Sequence, residues 1–211
     1  MAEEKLKEIH SKLQLMFGSL DDELPEQTMS VMFIQPNSVV LEIGGNWGRN
    51  SCVIGSILSD STKLVVLESD PKSAEILRVN RDYNNLKFHI EPSALSKIRL
   101  AQCGWDTKPY DILEDGWTPI NTLSWNELTN KYPLPFDTLV ADCEGALYYI
   151  LLDEPELLNQ FKTVILENDY HDINHKRYVN LLLITNGFRC VYSKSGGWGC
   201  CQNFFFETWC K

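Results

Sequence analysis

No run of about 18 apolar residues occurs in this sequence, so neither a membrane-spanning helix nor a membrane partner is expected. The opening residues, Met1-Ala2-Glu3-Glu4-Lys5-Leu6-Lys7, are charged and hold no secretory-leader core. Basic residues are in deficit: 19 Lys and Arg stand against 29 Asp and Glu, a net charge of −10. A protein that tracks a phosphate backbone needs a basic face, so no nucleic-acid partner is expected. The seven cysteines include no Cys-x-x-Cys, and the adjacent pair Cys200-Cys201 makes a poor zinc pincer. An odd set of thiols without a pairing pattern points to a reducing compartment, hence a cytoplasmic location. Internal repeats and low-complexity tracts are also missing, and nothing indicates an oligomeric state.

What is present is an alternation of short apolar runs and helical patterns over 211 residues. Leu6, Ile9, Leu13, Met16, Phe17 and Leu20 fall at helical spacing and predict an amphipathic helix over 4–20. Pro25-Glu26-Gln27 opens a second helix that runs to Ile34. Residues 1–37 therefore read as a helical extension packed on a domain spanning 38–211. That domain begins strand (39–41), helix (47–59), strand (63–67), helix (71–83), strand (86–90), the start of a doubly wound, Rossmann-like parallel α/β sheet. Residues 91–121 read as an ordered excursion beside the substrate site, with a short helix over 122–128. Strands at 136–141 and 163–166 follow, each with a helix after it, and 188–192 with 203–209 form a closing hairpin.

The stretch Val39-Val40-Leu41-Glu42-Ile43-Gly44-Gly45-Asn46-Trp47-Gly48 joins a buried strand, a glycine turn and a helix start, the layout of a cofactor cradle. The dinucleotide pattern G-x-G-x-x-G fails here, because Asn46 and Arg49 stand where glycine or alanine is required. A carboxylate, Glu42, precedes the first glycine instead. It repels a pyrophosphate at close range and attracts an ammonium group, which suits S-adenosylmethionine (SAM). Glu68, at the end of the second strand, is placed to accept hydrogen bonds from both ribose hydroxyls. The loop Glu91-Pro92-Ser93-Ala94 is expected to reach the adenine.

Three segments carry a family resemblance. Residues 40–48 resemble the first motif of the FkbM-type SAM-dependent methyltransferases, with Gly45 in place of the usual alanine. Leu67-Glu68-Ser69-Asp70-Pro71 is similar to the second, with Ser69 in place of a proline. Phe136 to Ala146, containing Asp142-Cys143-Glu144-Gly145-Ala146, and then Val164-Ile165-Leu166-Glu167, resemble the third. Leu147 replaces the usual Glu, and Ala141 stands where a Lys-Ile or Lys-Val pair often ends. The resemblance implies a class I fold, a seven-stranded sheet whose last strand is antiparallel, and O-methyl transfer to a sugar or other small hydroxylated acceptor. The strand-end reading and the resemblance together give as cofactor residues Glu42, Gly44, Gly45, Asn46, Gly48, Glu68, Ser69, Ser93, Ala94 and Asp142, with Ser93 and Ala94 resting on the strand-end reading alone.

Methyl transfer from a sulfonium is chiefly a matter of alignment, but a neutral hydroxyl must also lose its proton. At the strand ends the chain supplies Asp142, Glu144, Glu167 and His171 as candidate catalytic groups. Two mechanisms fit: a carboxylate or His171 as general base, or a Mg²⁺ ion on Asp142, Glu167 and Asn168 that polarises the hydroxyl. Asp169, Trp198 in the 195–199 loop and Trp105 in the excursion are candidates for touching the acceptor. Alternatives are a methyltransferase of nucleic acid or protein, and a non-catalytic SAM-binding module.

Overall fold

The computed structural model describes residues 2–104 and 106–211. Helices α1 (Ala2–His10) and α2 (Leu24–Phe33) precede strand β1 (Val40–Ile43), helix α3 (Arg49–Ile57), strand β2 (Leu64–Leu67), helix α4 (Pro71–Tyr83) and strand β3 (His89–Glu91). The excursion contributes short strands β4 (Ala94–Leu95), β5 (Leu100–Cys103), β6 (Asp106–Pro109), β7 (Thr118–Ile120) and β8 (Thr122–Leu123), then helix α5 (Trp125–Lys131). Strand β9 (Thr138–Ala141), helix α6 (Ala146–Asp153), strand β10 (Thr163–Glu167), helix α7 (Ile173–Thr185) and strands β11 (Arg189–Lys194) and β12 (Phe206–Cys210) complete the chain.

The main sheet has seven strands in the order β11-β12-β10-β9-β1-β2-β3. β12 pairs antiparallel with both neighbours, while the β10-β9-β1-β2-β3 pairings are parallel. The expected doubly wound sheet with one reversed strand is what forms. Every residue of β1, β2 and β9 is buried, as a sheet covered by helices on both faces demands. Their apolar runs are therefore continuous rather than alternating. Asp70 caps α4, its carboxylate accepting from the Lys72 and Ser73 amides, and Pro71 starts the helix where no amide hydrogen is needed.

Three expectations change. The helix over 4–20 stops at His10. The Oδ1 of Asn80 accepts from the Met16 and Phe17 amides, and that of Asn84 from the Gln14 amide. These side chains of α4 take the backbone groups a longer helix would have used, and Met16 and Phe17 end up exposed. The excursion folds as a three-stranded antiparallel sheet, β6-β5-β7, with a separate two-stranded parallel pair, β4-β8. The helix expected over 122–128 begins only at Trp125, after Ser124 closes a reciprocal capping box with Glu127.

α2 packs on α3 and against β10 and β12. Its first turn thereby overhangs the carboxyl ends of the central strands. Arg49, opening α3, holds that turn in place: its Nη1 donates to Glu23 Oε1 at 2.7 Å and its Nε lies 3.3 Å from Asp22 Oδ2.

Candidate active site

The loops after β1, β2, β9 and β10 leave the same edge of the sheet, where ligands of doubly wound folds bind. The glycine turn is built for close contact within the protein. Gly44 has φ +90°, and a Cβ there would lie 1.6 Å from the Asp142 carbonyl oxygen. The β1 and β9 loops thus touch backbone to backbone, which only glycine permits. A Cβ on Gly45 would meet Val66 Cγ1 at 2.3 Å. Glycine at 45 therefore follows from packing against β2. Both the Gly44 and Gly45 amides donate to the Leu67 carbonyl at 3.0 Å, which clamps this turn to the end of β2.

Glu42 is buried within β1. Its Oε1 accepts from Asn50 Nδ2 at 3.2 Å, while Oε2 is buried with no partner. Burial, with some relief from the nearby Ser51 hydroxyl and the Asn50 amide, pushes its carboxyl up to about 8. Glu68 is likewise buried, and burial raises its carboxyl above the ordinary range. Its Oε2 accepts from the Asn46 amide at 2.6 Å and its Oε1 from the Asp70 amide at 2.8 Å. Glu68 thus ties the glycine turn to the N-terminus of α4. Asn46 takes a left-handed φ of 45° to deliver that amide. Ser69 donates to Gln102 Oε1 at 3.1 Å and so links β2 to the small sheet. Ser93 turns its hydroxyl back onto Glu91 at 2.9 Å, and Glu91 is also held by Lys131 and Tyr132. Ala94 stands in β4.

At the ends of β9 and β10 the carboxylates crowd. Glu26, Asp142 and Glu167 each bring an oxygen within 4.8 Å of the others. Glu26 was not among the residues singled out from the sequence; it arrives from α2, and only the packing of that helix on the sheet reveals it. Burial, reinforced by the negative charges of Glu26, Glu23, Asp169 and Glu144, pushes Asp142 well above the usual carboxylate range. Burial and the neighbouring Glu26 push Glu167 up to about 12. Asn168 is fully buried, and its Nδ2 donates to the Phe204 and Phe205 carbonyls at 3.1 and 2.9 Å, leaving Oδ1 unpaired.

Beside this cluster lies a cavity of about 210 Å³ lined by Glu144, Tyr149, Asp169, His171, Asp172 and His175. Glu144 and Gly145 take left-handed φ of 51° and 79°, so the chain turns sharply before α6 and Glu144 stands exposed at the rim. Burial and the negative charge of Glu144 push Asp169 up to about 7. His175 stacks on Tyr148 with centroids 3.7 Å apart and planes 7° from parallel. The His171 ring contacts Trp198 at 4.6 Å, so the 195–199 loop reaches the cavity's edge. His175 and Tyr149 had not been picked out, since a histidine and a tyrosine on separate helices carry no sequence pattern. Trp105 lies outside the described residues.

An O-methyltransferase from Bacillus cereus, solved with S-adenosylhomocysteine, matches at TM-score 0.57 and 15% identity over 100% of this chain and 90% of that one. The fold is that of the class I methyltransferases. An rRNA methylase from Streptococcus thermophilus matches at TM-score 0.54 and 7% identity, covering 93% of this chain and 98% of its own. A ribosomal protein L11 methylase from Lactobacillus delbrueckii subsp. bulgaricus matches at TM-score 0.53 and 11% identity, covering 87% of this chain and 74% of its own. Identities this low establish the fold alone. No family model matches the chain, and no curated protein sequence is significantly similar. No helix among the described residues is long and apolar enough to cross a membrane.

Proposed function

We propose that this protein is a SAM-dependent O-methyltransferase acting on a small, uncharged, polyhydroxylated acceptor such as a sugar or glycan residue, and that it belongs with the FkbM-type enzymes. One observation carries the reading: the buried carboxylates of Glu42, within β1, and Glu68, after β2, and the half-buried one of Asp142, after β9, surround a glycine turn in a class I fold. Such a setting favours a ligand with a sulfonium and an ammonium group and disfavours one with a pyrophosphate.

In this reading Glu42 faces the cationic amino-acid tail, Glu68 the ribose, the Ser93-Ala94 turn the adenine, and Asp142 the methyl-bearing sulfur. The acceptor occupies the cavity beside Asp169. Its lining offers carboxylates, which accept from sugar hydroxyls, and the faces of Tyr149 and His175, on which a sugar ring packs. No lysine or arginine lines it, so phosphorylated acceptors are poor candidates. The acceptor hydroxyl attacks the methyl carbon as the carbon–sulfur bond breaks. Its proton passes to a cavity carboxylate, Asp169 or Glu144, and S-adenosylhomocysteine leaves. The remaining work is alignment.

Calorimetry with S-adenosylhomocysteine and with NAD tests the cofactor. Tight NAD binding without binding of the homocysteine compound would sink the proposal. Incubation with SAM and a panel of free sugars and glycans, read by mass spectrometry as the gain of one methylene, tests the acceptor. Asp169→Asn is expected to keep S-adenosylhomocysteine affinity and lose at least tenfold in turnover. Methylation of RNA with no reaction on any sugar would replace the acceptor while leaving the cofactor reading intact.

A further inference from the structure

The carboxylates of Glu26, Asp142 and Glu167 converge from α2, the end of β9 and the end of β10. Their oxygens lie within 4.8 Å of one another. Among the described residues no lysine, arginine or histidine forms an ion pair with any of the three. Glu26 is 92% removed from solvent, and its Oε2 has no hydrogen-bond partner. The Oε2 of Glu167 is in the same condition. Glu26 stands in the first turn of α2, where an acid suits the helix dipole, but α2 has no side-chain cap hydrogen bond. The α2 cap is at Glu23, and the Arg49 side chain that holds this turn pairs with Glu23 and Asp22 instead. A buried acid aimed at two others, with an unpaired oxygen, costs the fold stability unless a proton or a cation completes the group, and a cation satisfies all three at once.

The geometry points to a divalent-cation site formed by Glu26, Asp142 and Glu167, with α2 supplying the third ligand. An all-oxygen set with three carboxylates selects hard cations, Mg²⁺, Mn²⁺ or Ca²⁺, over zinc or copper. Oxygens bound at about 2.1–2.6 Å on opposite sides of one ion are about 4.2–5.2 Å apart. One such opposed pair with the third oxygen between them is compatible with separations inside 4.8 Å. Three carboxylates and a divalent ion leave a residual charge of minus one, and water fills the remaining coordination positions, as Mg²⁺ in particular prefers. The ion would fasten the N-terminal helices to the strand ends. On the methyl-transfer reading it would also lie beside Asp142, where a hydroxyl could be polarised. The site shares Asp142 and Glu167 with the set Asp142, Glu167 and Asn168 expected from sequence and adds Glu26 from α2; Asn168 donates its amide nitrogen to the Phe204 and Phe205 carbonyls and keeps Oδ1 unpaired.

Metal binding is read without SAM or acceptor, by titrating the full chain with MnCl₂ and following the free-ion paramagnetic resonance signal. One Mn²⁺ per chain is expected, displaced by MgCl₂ or CaCl₂, together with a rise in Tm. Glu26→Gln and Glu167→Gln keep side-chain volume and remove one charge each. Each is expected to weaken Mn²⁺ binding at least tenfold, with an apo Tm no lower than that of the wild-type chain. Glu156→Gln, a surface acid, should bind as the wild type does. A wild-type chain that retains no Mn²⁺ at millimolar concentration, or a Glu26→Gln variant with unchanged affinity, overturns the site. A chain that binds S-adenosylhomocysteine but no Mn²⁺ refutes the metal alone. One that binds Mn²⁺ but not S-adenosylhomocysteine refutes the cofactor reading alone.

Discussion

The Glu42 carboxyl offers a direct test of the electrostatics of this site. It is buried in the centre of β1 with one oxygen unpaired, and burial lifts it from 4.5 to about 8. The folded chain therefore holds a proton there that the unfolded chain has released. A group raised in this way stabilises the fold fully below about pH 4.5, and that contribution is lost as pH climbs to about 8. Each pH unit inside the window is worth about 1.4 kcal/mol. The whole span approaches roughly 4–5 kcal/mol, a large part of a typical domain's stability. Glu42→Gln is nearly isosteric with the protonated acid and has nothing to titrate. Urea unfolding of both proteins at intervals from about pH 5 to about pH 8 should give similar stabilities at the acidic end, with the variant ahead by several kcal/mol at the alkaline end. Other buried acids titrate too, but they cancel in the difference wherever they do not couple to Glu42. A difference that stays flat within about 1 kcal/mol across the window would refute the reasoning. The same proton should appear in ligand binding. If Glu42 faces the ammonium of S-adenosylhomocysteine, binding at neutral pH releases a proton, seen as a calorimetric heat that depends on buffer ionisation, and Glu42→Gln removes that dependence.

Gly44→Ala puts a Cβ onto the Asp142 carbonyl and forces a left-handed φ on alanine, so a loss of at least about 3 kcal/mol in urea unfolding is expected, or failure to fold. Glu68→Ala releases the Asn46 and Asp70 amides together; it should abolish the calorimetric signal with S-adenosylhomocysteine and cost about 2–4 kcal/mol of stability. Lys176→Met strands Glu207, which is bound to Lys176 Nζ at 2.6 Å and to Trp209 Nε1 at 2.9 Å; the expected cost is about 3–5 kcal/mol, with much of it recovered by adding Glu207→Gln.

The central strands and the acid-glycine turn were legible because their physics is local. A parallel strand buried on both faces must be almost wholly apolar, and β1, β2 and β9 are, with Glu42 and Thr138 as the exceptions. A turn that brings two loops into backbone contact must use glycine, and Gly44 is where it does. The length of the first helix was not legible. Residues 11–20 keep helical spacing of apolar side chains, but Asn80 and Asn84, far along the chain, compete for their backbone groups. The small sheet in the excursion was hidden for a different reason. β6 has three exposed residues out of four, so no alternation of apolar and polar residues announces it. The site itself was half readable. Asp142 and Glu167 sit at strand ends, where the fold class predicts chemistry, whereas Glu26 belongs to a helix whose docking on β10 and β12 no short pattern encodes.

That missing acid alters how the site's charge is understood. From sequence, Glu42 and Glu68 were two carboxylates disposed toward one cationic cofactor. In the fold, Glu23, Glu26, Asp142, Glu144, Glu167 and Asp169 gather at the same edge, and Arg49 is the cation that answers Glu23. Acids so placed cannot all be ionised in a site largely withdrawn from water, as the upward displacement of Glu42, Asp142, Glu167 and Asp169 records. Any ligand that brings positive charge recovers part of the energy held in that repulsion. A dinucleotide would add to it, and so would a phosphorylated acceptor. The site is thus selective by charge before any shape is considered, which favours a sulfonium donor, a divalent ion and a neutral acceptor over every anionic competitor.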